Sequence, residues 1–284
     1  LHDDNYFTSM RNMWSDFRND IGRKSSFDLR PLPELFEQVS QALTDPASAY
    51  DVVAVNMPWL GRLAGDGLLA PLDDVLPDAP INPGDFHPSV WNTGRWKGRQ
   101  YGIPIYCTVE IMTARRDIFE EHGMPYPRTF DETVAAARAI HRPDREQYGI
   151  SWNAAPGMPI AHSFMFFLAS SQGSVIEIPH KHDNWMEGIQ SGDIRLSINS
   201  PEGLAVIDYM RRLVRVSPPG IETFDGEHNL DCFMAGHAAM SYVWTMRAAR
   251  LEHELSSRVK RRVAYLTPPV LRGNQVTAPV GGFL

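Results

Sequence analysis

Apolar and polar residues alternate along this chain at two periods, and their succession predicts helices and strands in turn. Phe7, Met10, Met13, Trp14 and Phe17 recur at helical spacing, so a first helix is expected over Phe7–Asp20, with Gly22 just beyond its end. SFDLRPL then reads as a strand, and Pro33–Leu43 as a helix. Val52, Val53, Ala54 and Val55 form a short β-branched run, the composition of a strand covered on both faces. Pro58 suits the first turn of a following helix because it has no amide hydrogen to lose. Gly65 and Gly67 let the chain leave that helix, and Leu68 and Leu69 return to a core.

Further along, Tyr101–Tyr106 is expected as a strand after the WKGRQ turn. TFDE at Thr129 has the form of a capping box, opening a helix that turns Val134, Ala135, Ala139 and Ile140 inward. Ser200 and Pro201 open another helix, with Leu204, Ile207 and Val214 on its apolar face. Arg262–Leu266 reads as a strand stopped by Pro268 and Pro269. This alternation favours an α/β architecture with largely parallel sheets.

Composition changes the picture in three respects. At 284 residues with 43% hydrophobic content, the chain exceeds the size at which one core usually keeps growing, so two lobes are expected. A net charge of -7 and a pI near 5.8 argue against nucleic acid or an anionic membrane as partner. No apolar run reaches the roughly 20 residues of a membrane span. The opening LHDDNYF carries neither a signal peptide nor a lipid-attachment cysteine, as in a mature or trimmed product or a cytosolic protein. Cys107 and Cys232 are too few for a disulfide framework and do not fix the compartment. No internal repeat or low-complexity linker separates the lobes, so ordered strands should join them as hinges.

Several separated segments together resemble one family. YDVVAVNMPWLGRLAGDGLLAPLDD, GRQYGIPIYCTVEIMTARRDIFEEHGMPYPRTFDE, INSPEGLAVIDYM, NLDCFMAGHAAMSYVW and APVGGF follow the order found in the carbohydrate-binding, family 1 extracellular solute-binding proteins of bacterial ABC importers, relatives of maltose-binding protein. The resemblance implies a type II periplasmic-binding-protein-like fold, two α/β lobes with a ligand cleft between them. Lobe 1 is expected from 1–107 and 242–284, and lobe 2 from 108–241, with crossings at Tyr106–Glu110 and Ser241–Thr245. It also implies a chain truncated at both ends, lacking a first strand and a helical tail. The function implied is a non-enzymatic, monomeric receptor that captures a sugar or polyol outside the cytoplasmic membrane and delivers it to ABC permease subunits, with no cofactor.

Sugars present an apolar C–H face and a rim of hydroxyls, which aromatic rings and polar side chains can hold. On that basis the resemblance places Trp59 on the first lobe's rim, and Tyr106 and Thr108 at the first crossing. Trp152 is placed at the end of a second-lobe strand, and Trp244 and Arg247 at the second crossing. Asp4, beside Asp3, enters the first helix and reaches the cleft from its loop, while Gly282, with Gly281, allows close backbone approach near the final crossing. Each has a plain structural alternative: core packing for the tryptophans, a surface ion pair for Arg247, helix-end charge complementarity for the aspartates. Glu110 could accept hydroxyls or pair with Arg115 or Arg116.

Two other function classes stay open at this point. Asp225 and Glu227 have the residue types of a glycoside hydrolase acid and base. An acidic, aromatic cleft would also suit a polyamine. Several carboxylates around a pocket would favour the cation, and one or two beside aromatic platforms a sugar. His180, His182 and Asp183 in PHKHDNW have metal-ligating types, though such a loop is more often a solvated surface. GxSxG, P-loop, dinucleotide and HExxH motifs are all absent, and no catalytic apparatus is read.

Overall fold

The computed structural model describes residues 5–22, 24–26, 28–30, 32–177, 191–273 and 280–284. In chain order its helices are α1 (Asn5–Ile21), α2 (Leu32–Thr44), α3 (Leu60–Gly65), α4 (Pro88–Trp91), α5 (Arg116–Glu121), α6 (Phe130–Ile140), α7 (Met158–Ser170), α8 (Pro201–Val214), α9 (Gly226–Met234) and α10 (Thr245–His253). The strands are β1 (Arg95–Trp96), β2 (Arg99–Gln100), β3 (Tyr106–Arg115), β4 (Tyr148–Ser151), β5 (Ile176–Glu177), β6 (Arg195–Leu196), β7 (Ala238–Trp244), β8 (Val263–Leu266) and β9 (Val280–Phe283). These elements fall into two units, Leu1–Thr108 with Val280–Leu284, and Val109–Pro279.

Unit 1 is built around a small core of Val39, Val55, Leu60, Leu63 and Leu284. Pro58 lies in a short 3-10 turn, Met57–Trp59, that leads into α3. The expected strands at SFDLRPL and Val52–Val55 are not formed among the described residues. Val55 instead makes a reciprocal backbone pair with Leu284, at 3.0 and 2.9 Å, and Asn56 bridges to Phe283. Val52 is 86% exposed, so the β-branched run is only half enclosed. Tyr101–Ile105 is likewise extended chain rather than strand, and β3 starts at Tyr106. Met13 and Phe17 of α1 are exposed, the latter against the Trp14 ring at 4.9 Å.

Unit 2 carries a sheet in the order β4–β7–β3–β8. The β3–β7 and β3–β8 ladders are antiparallel; β4–β7 is parallel. The expectation of a largely parallel sheet is therefore corrected. A buried apolar strand reads the same whichever way its neighbours run. Strand β7 contributes residues to two cores. Met240 and Tyr242 join Ile150, Phe167, Tyr209 and Leu213 on one side, while Val243 joins Phe233, Leu251 and Val263 on the other.

The helices over that sheet follow local rules. The Thr129 hydroxyl accepts from the Glu132 amide while the Glu132 carboxylate accepts from the Thr129 amide, the capping box expected of TFDE. Val134 and Ile140 are buried, but Ala135 and Ala139 are exposed. Ser200 caps α8 through the Gly203 amide. The face that α8 buries is Val206, Tyr209, Met210 and Leu213, whereas Leu204, Ile207 and Val214 are 62%, 46% and 49% exposed. Both faces of this helix carry apolar residues at helical spacing, so periodicity alone does not choose between them.

Thr108–Val109 divides the two units, and Tyr242–Pro279 groups with unit 2. The reason lies in β7, which is bonded to β3 up to Trp244, and in β8, which adds to the other edge of β3.

Candidate functional site

Unit 2 gathers the chemistry at the Trp244 end of β7. The β3–β7 register sets Glu110 opposite Trp244. Three residues into α10, Arg247 reaches a small pocket that it lines with Trp244, Asn153, Gly226 and Asn229. Asn229 is held from two sides: its amide donates to the Tyr242 carbonyl at 2.7 Å, and its side-chain oxygen accepts from Ser241 at 3.0 Å. Trp244 is half-buried, with its ring centroid 4.7 Å from that of His162 on α7. A partly exposed aromatic ring beside polar groups has the character of a sugar platform.

Arg247 and Glu227 form an ion pair at 2.7 Å, and Arg250 holds the other Glu227 oxygen at 2.7 Å. Arg250 also pairs with Glu254 at 2.6 Å. The surface-pair alternative for Arg247 is thus realised, while its guanidinium stays at the pocket. Asp225 caps α9, accepting from the Glu227 and His228 amides at 3.0 Å each. Partial burial alone would raise its carboxyl, but the His228 backbone, the His228 side chain and the Glu227 amide together hold it below the usual carboxylate range. Asp225 is engaged as a helix cap and Glu227 is held by two arginines, so neither carboxyl is left free to serve as an acid/base pair. The geometry does not favour the hydrolase alternative.

Trp152 is corrected from ligand stacking to core. It is 1% exposed, its ring lies 6.3 Å from that of Phe167, and its indole N–H donates to Ser217 Oγ at 3.1 Å. Both faces and the polar edge are occupied. Glu110 pairs with neither Arg115 nor Arg116: the first is bidentate to Asp117, and the second donates to the Val263 carbonyl. Glu110 is 1% exposed, and its Oε2 faces Nδ1 of His162 at 3.5 Å. Burial pushes its carboxyl up to about 8 and pushes the His162 imidazole down. Burial thus favours the neutral form of each.

Unit 1 brings another set together around Phe283. The ring centroids of Trp59 and Tyr106 lie 6.4 and 5.8 Å from it, and Phe36 closes on Trp59 at 5.0 Å. Gly282 has a φ of +151°, and a side chain there would place Cβ 2.2 Å from the Tyr106 carbonyl, so the close backbone approach does require glycine. Thr108 is buried. Asp4 and the loop with His180, His182 and Asp183 lie outside the described residues, as does Asp3. Cys107 and Cys232 are both free thiols.

Residues 30–260 match the family model for bacterial extracellular solute-binding protein. The chain belongs to that family. A mannitol-binding protein of Pseudomonas aeruginosa is 24% identical over 208 residues, which is 72% of this chain and 44% of that protein. A maltotriose-binding protein of Pyrococcus abyssi is 30% identical over 115 residues, 40% of this chain and 23% of that one. The chain thus spans less than half the length of these relatives. Among solved structures, an ABC transporter solute-binding protein from Agrobacterium radiobacter K84 in complex with ribitol superimposes with a TM-score of 0.85 at 24% identity. That match covers 99% of this chain and 68% of the other, and carries the two-lobed α/β fold of periplasmic sugar-binding proteins. Family members of this kind are binding proteins rather than enzymes.

Residue-type reasoning singled out Trp244 and Arg247, which the fold of this solute-binding protein does bring to one pocket. It passed over His162 and Asn153. Neither stands in a motif, and only the packing of α7 and the chain after β4 against β7 brings them near Trp244.

Proposed function

We propose that this chain is the solute-capturing part of an extracytoplasmic receptor that binds an uncharged sugar or polyol and passes it to an ABC import permease. The observation that carries the choice of ligand is the chemistry around Trp244. One carboxyl, Glu110, lies there without an ionic partner other than a neutral histidine, and the second, Glu227, is already neutralised by two arginines. A polyamine site needs several uncompensated carboxylates, whereas one beside an aromatic platform suits hydroxyls. Trp244 and Arg247 are the proposed unit 2 contacts. Trp59, Tyr106 and Gly282 are the candidates on unit 1, with Thr108 next to them in sequence. The relatives named as binding mannitol and maltotriose, and the neighbour with ribitol, support the same class.

The receptor is proposed to act as a monomer outside the cytoplasmic membrane. Among the described residues no helix is long and apolar enough to span a bilayer, and the family is extracellular. A thermal-shift screen with D-mannitol, ribitol, maltose, maltotriose and spermidine tests the reading. A ligand at 100 times its Kd stabilises the native state by about 2.7 kcal/mol. Stabilisation by a polyol or sugar and not by spermidine is the expected result. Stabilisation by spermidine alone would replace the sugar with a cation.

A further inference from the structure

The corner formed by β3, β7 and α7 holds buried polar atoms that the fold leaves unsatisfied. Glu110 is 1% exposed, and its Oε2 has no hydrogen-bond partner among the described residues; Nε2 of His162 and Oδ1 of Asn153 are in the same condition. The His162 Nδ1 contact at 3.5 Å is beyond the range of a good hydrogen bond. Buried polar groups are nearly always paired, because an unpaired one loses its hydration and gains nothing in return. Three such atoms close to a half-buried tryptophan mark a place where partners are supplied from outside.

We propose that Glu110 and His162 are specificity-determining residues, and that the hydroxyl groups of an uncharged polyol or sugar lying against Trp244 supply the partners that Glu110 Oε2 and His162 Nε2 lack. This rests on the receptor reading above. A hydroxyl both donates and accepts, so it satisfies an acid and an imidazole together, which an ammonium group does not. Burial favours the neutral form of both side chains, and burial together with Tyr209 and the nearby Glu110 holds the Tyr242 hydroxyl protonated. The corner therefore offers hydrogen bonds without offering a counter-charge. His162 is 22% exposed at its side chain and Glu110 1%, so the imidazole is the member of the pair nearer solvent.

The test is calorimetric titration of the intact protein and its Glu110→Met, Glu110→Gln and His162→Phe variants with D-mannitol and ribitol, alongside ligand-free melting. Methionine has a similar volume and no hydrogen-bonding group, so Glu110→Met is expected to weaken polyol binding at least tenfold while melting at or above the wild-type temperature. His162→Phe keeps a ring against Trp244 and is expected to weaken binding at least fivefold. Glu110→Gln keeps the shape and both hydrogen-bonding roles, and is expected to bind within fivefold of wild type. If Glu110→Met does not fold, His162→Phe alone decides. Wild-type affinity in the variants, with lowered melting, overturns the inference: the pair would then be structural, satisfied by internal water. Failure of the wild type to bind any sugar or polyol overturns the receptor reading itself, a different result from variants that bind as wild type does.

Discussion

Replacing Trp152 should unfold unit 2 early without touching recognition. The indole is 1% exposed and packed among Phe167 and its neighbours, with its N–H on Ser217. Truncating a buried tryptophan to alanine costs about 3–5 kcal/mol, through lost burial and the cavity left behind. The Ser217 hydroxyl also donates to the Leu213 carbonyl at 2.8 Å, so it keeps one partner when the indole goes, and the hydrogen bond adds only about 1 kcal/mol. For a domain of this size 1 kcal/mol moves the melting temperature by roughly 2–4 °C. Trp152→Ala is thus expected to lower the unit 2 transition by about 10–20 °C, and Trp152→Phe, which keeps a ring, by roughly a third of that. Ser217→Ala leaves the indole N–H buried and unpaired, at a cost of about 1–3 kcal/mol.

The assay is differential scanning calorimetry without ligand, paired with titration of D-mannitol into whatever folds at 15 °C. The core around unit 1 does not include Trp152, so a transition belonging to that unit should stay in place. Affinity per folded molecule should change by less than threefold. A Trp152→Ala protein that melts within 3 °C of wild type yet has lost ligand would refute the reasoning, and would return Trp152 to the binding face.

Three other outcomes follow from the same geometry. Burial raises the Glu110 carboxyl from 4.5 to about 8, so the folded chain keeps a proton that the unfolded chain releases. Stability should therefore fall as pH rises from about 4.5 to 8. His162 acts in the opposite sense and only below about 6.5, because its depressed imidazole costs stability as pH falls there. Urea denaturation should then show the stability lead of Glu110→Met over wild type widening between pH 6.5 and 8; parallel curves would exclude a buried neutral acid. Gly282→Ala should cost about 2 kcal/mol or more in urea melts, because φ is +151° and the new Cβ would meet the Tyr106 carbonyl. Asp225→Ala should cost about 1 kcal/mol as the loss of a helix cap, and neither it nor the wild type should hydrolyse maltotriose in a reducing-sugar assay.

The helices were legible in the sequence because their signals are local. The capping box at Thr129 and the Ser200–Pro201 start each lie within a few residues of what they specify. The strands were less so. Val52–Val55 has strand composition, but its described partner is Leu284, at the far end of the chain. A strand is defined by a neighbour that composition does not name. The same limit explains α8, whose two apolar stripes look alike until the sheet covers one of them. Trp152 and Trp244 each end or follow a strand of the same sheet, yet one is sealed by Phe167 and Ser217 and the other stays half-open. Residue type placed both as sugar platforms; only packing separates them.

Glu110 and Glu227 show why the site is better read from environment than from residue type. The fold surrounds Glu227 with Arg247 and Arg250, each at 2.7 Å, so charge compensation is readily built in this part of unit 2. Glu110 has two arginines a few residues along its own strand and its extension, and both are turned to other partners. What faces it instead is a histidine whose burial removes its charge. An arginine in that place would fix the carboxylate and fill its lone pairs, leaving nothing for a solute. A neutral imidazole leaves the acid unpaired and the corner uncharged, at a cost in stability that a purely structural position has no reason to carry. The same arrangement disfavours an ammonium ligand, because Glu110 offers it no counter-charge.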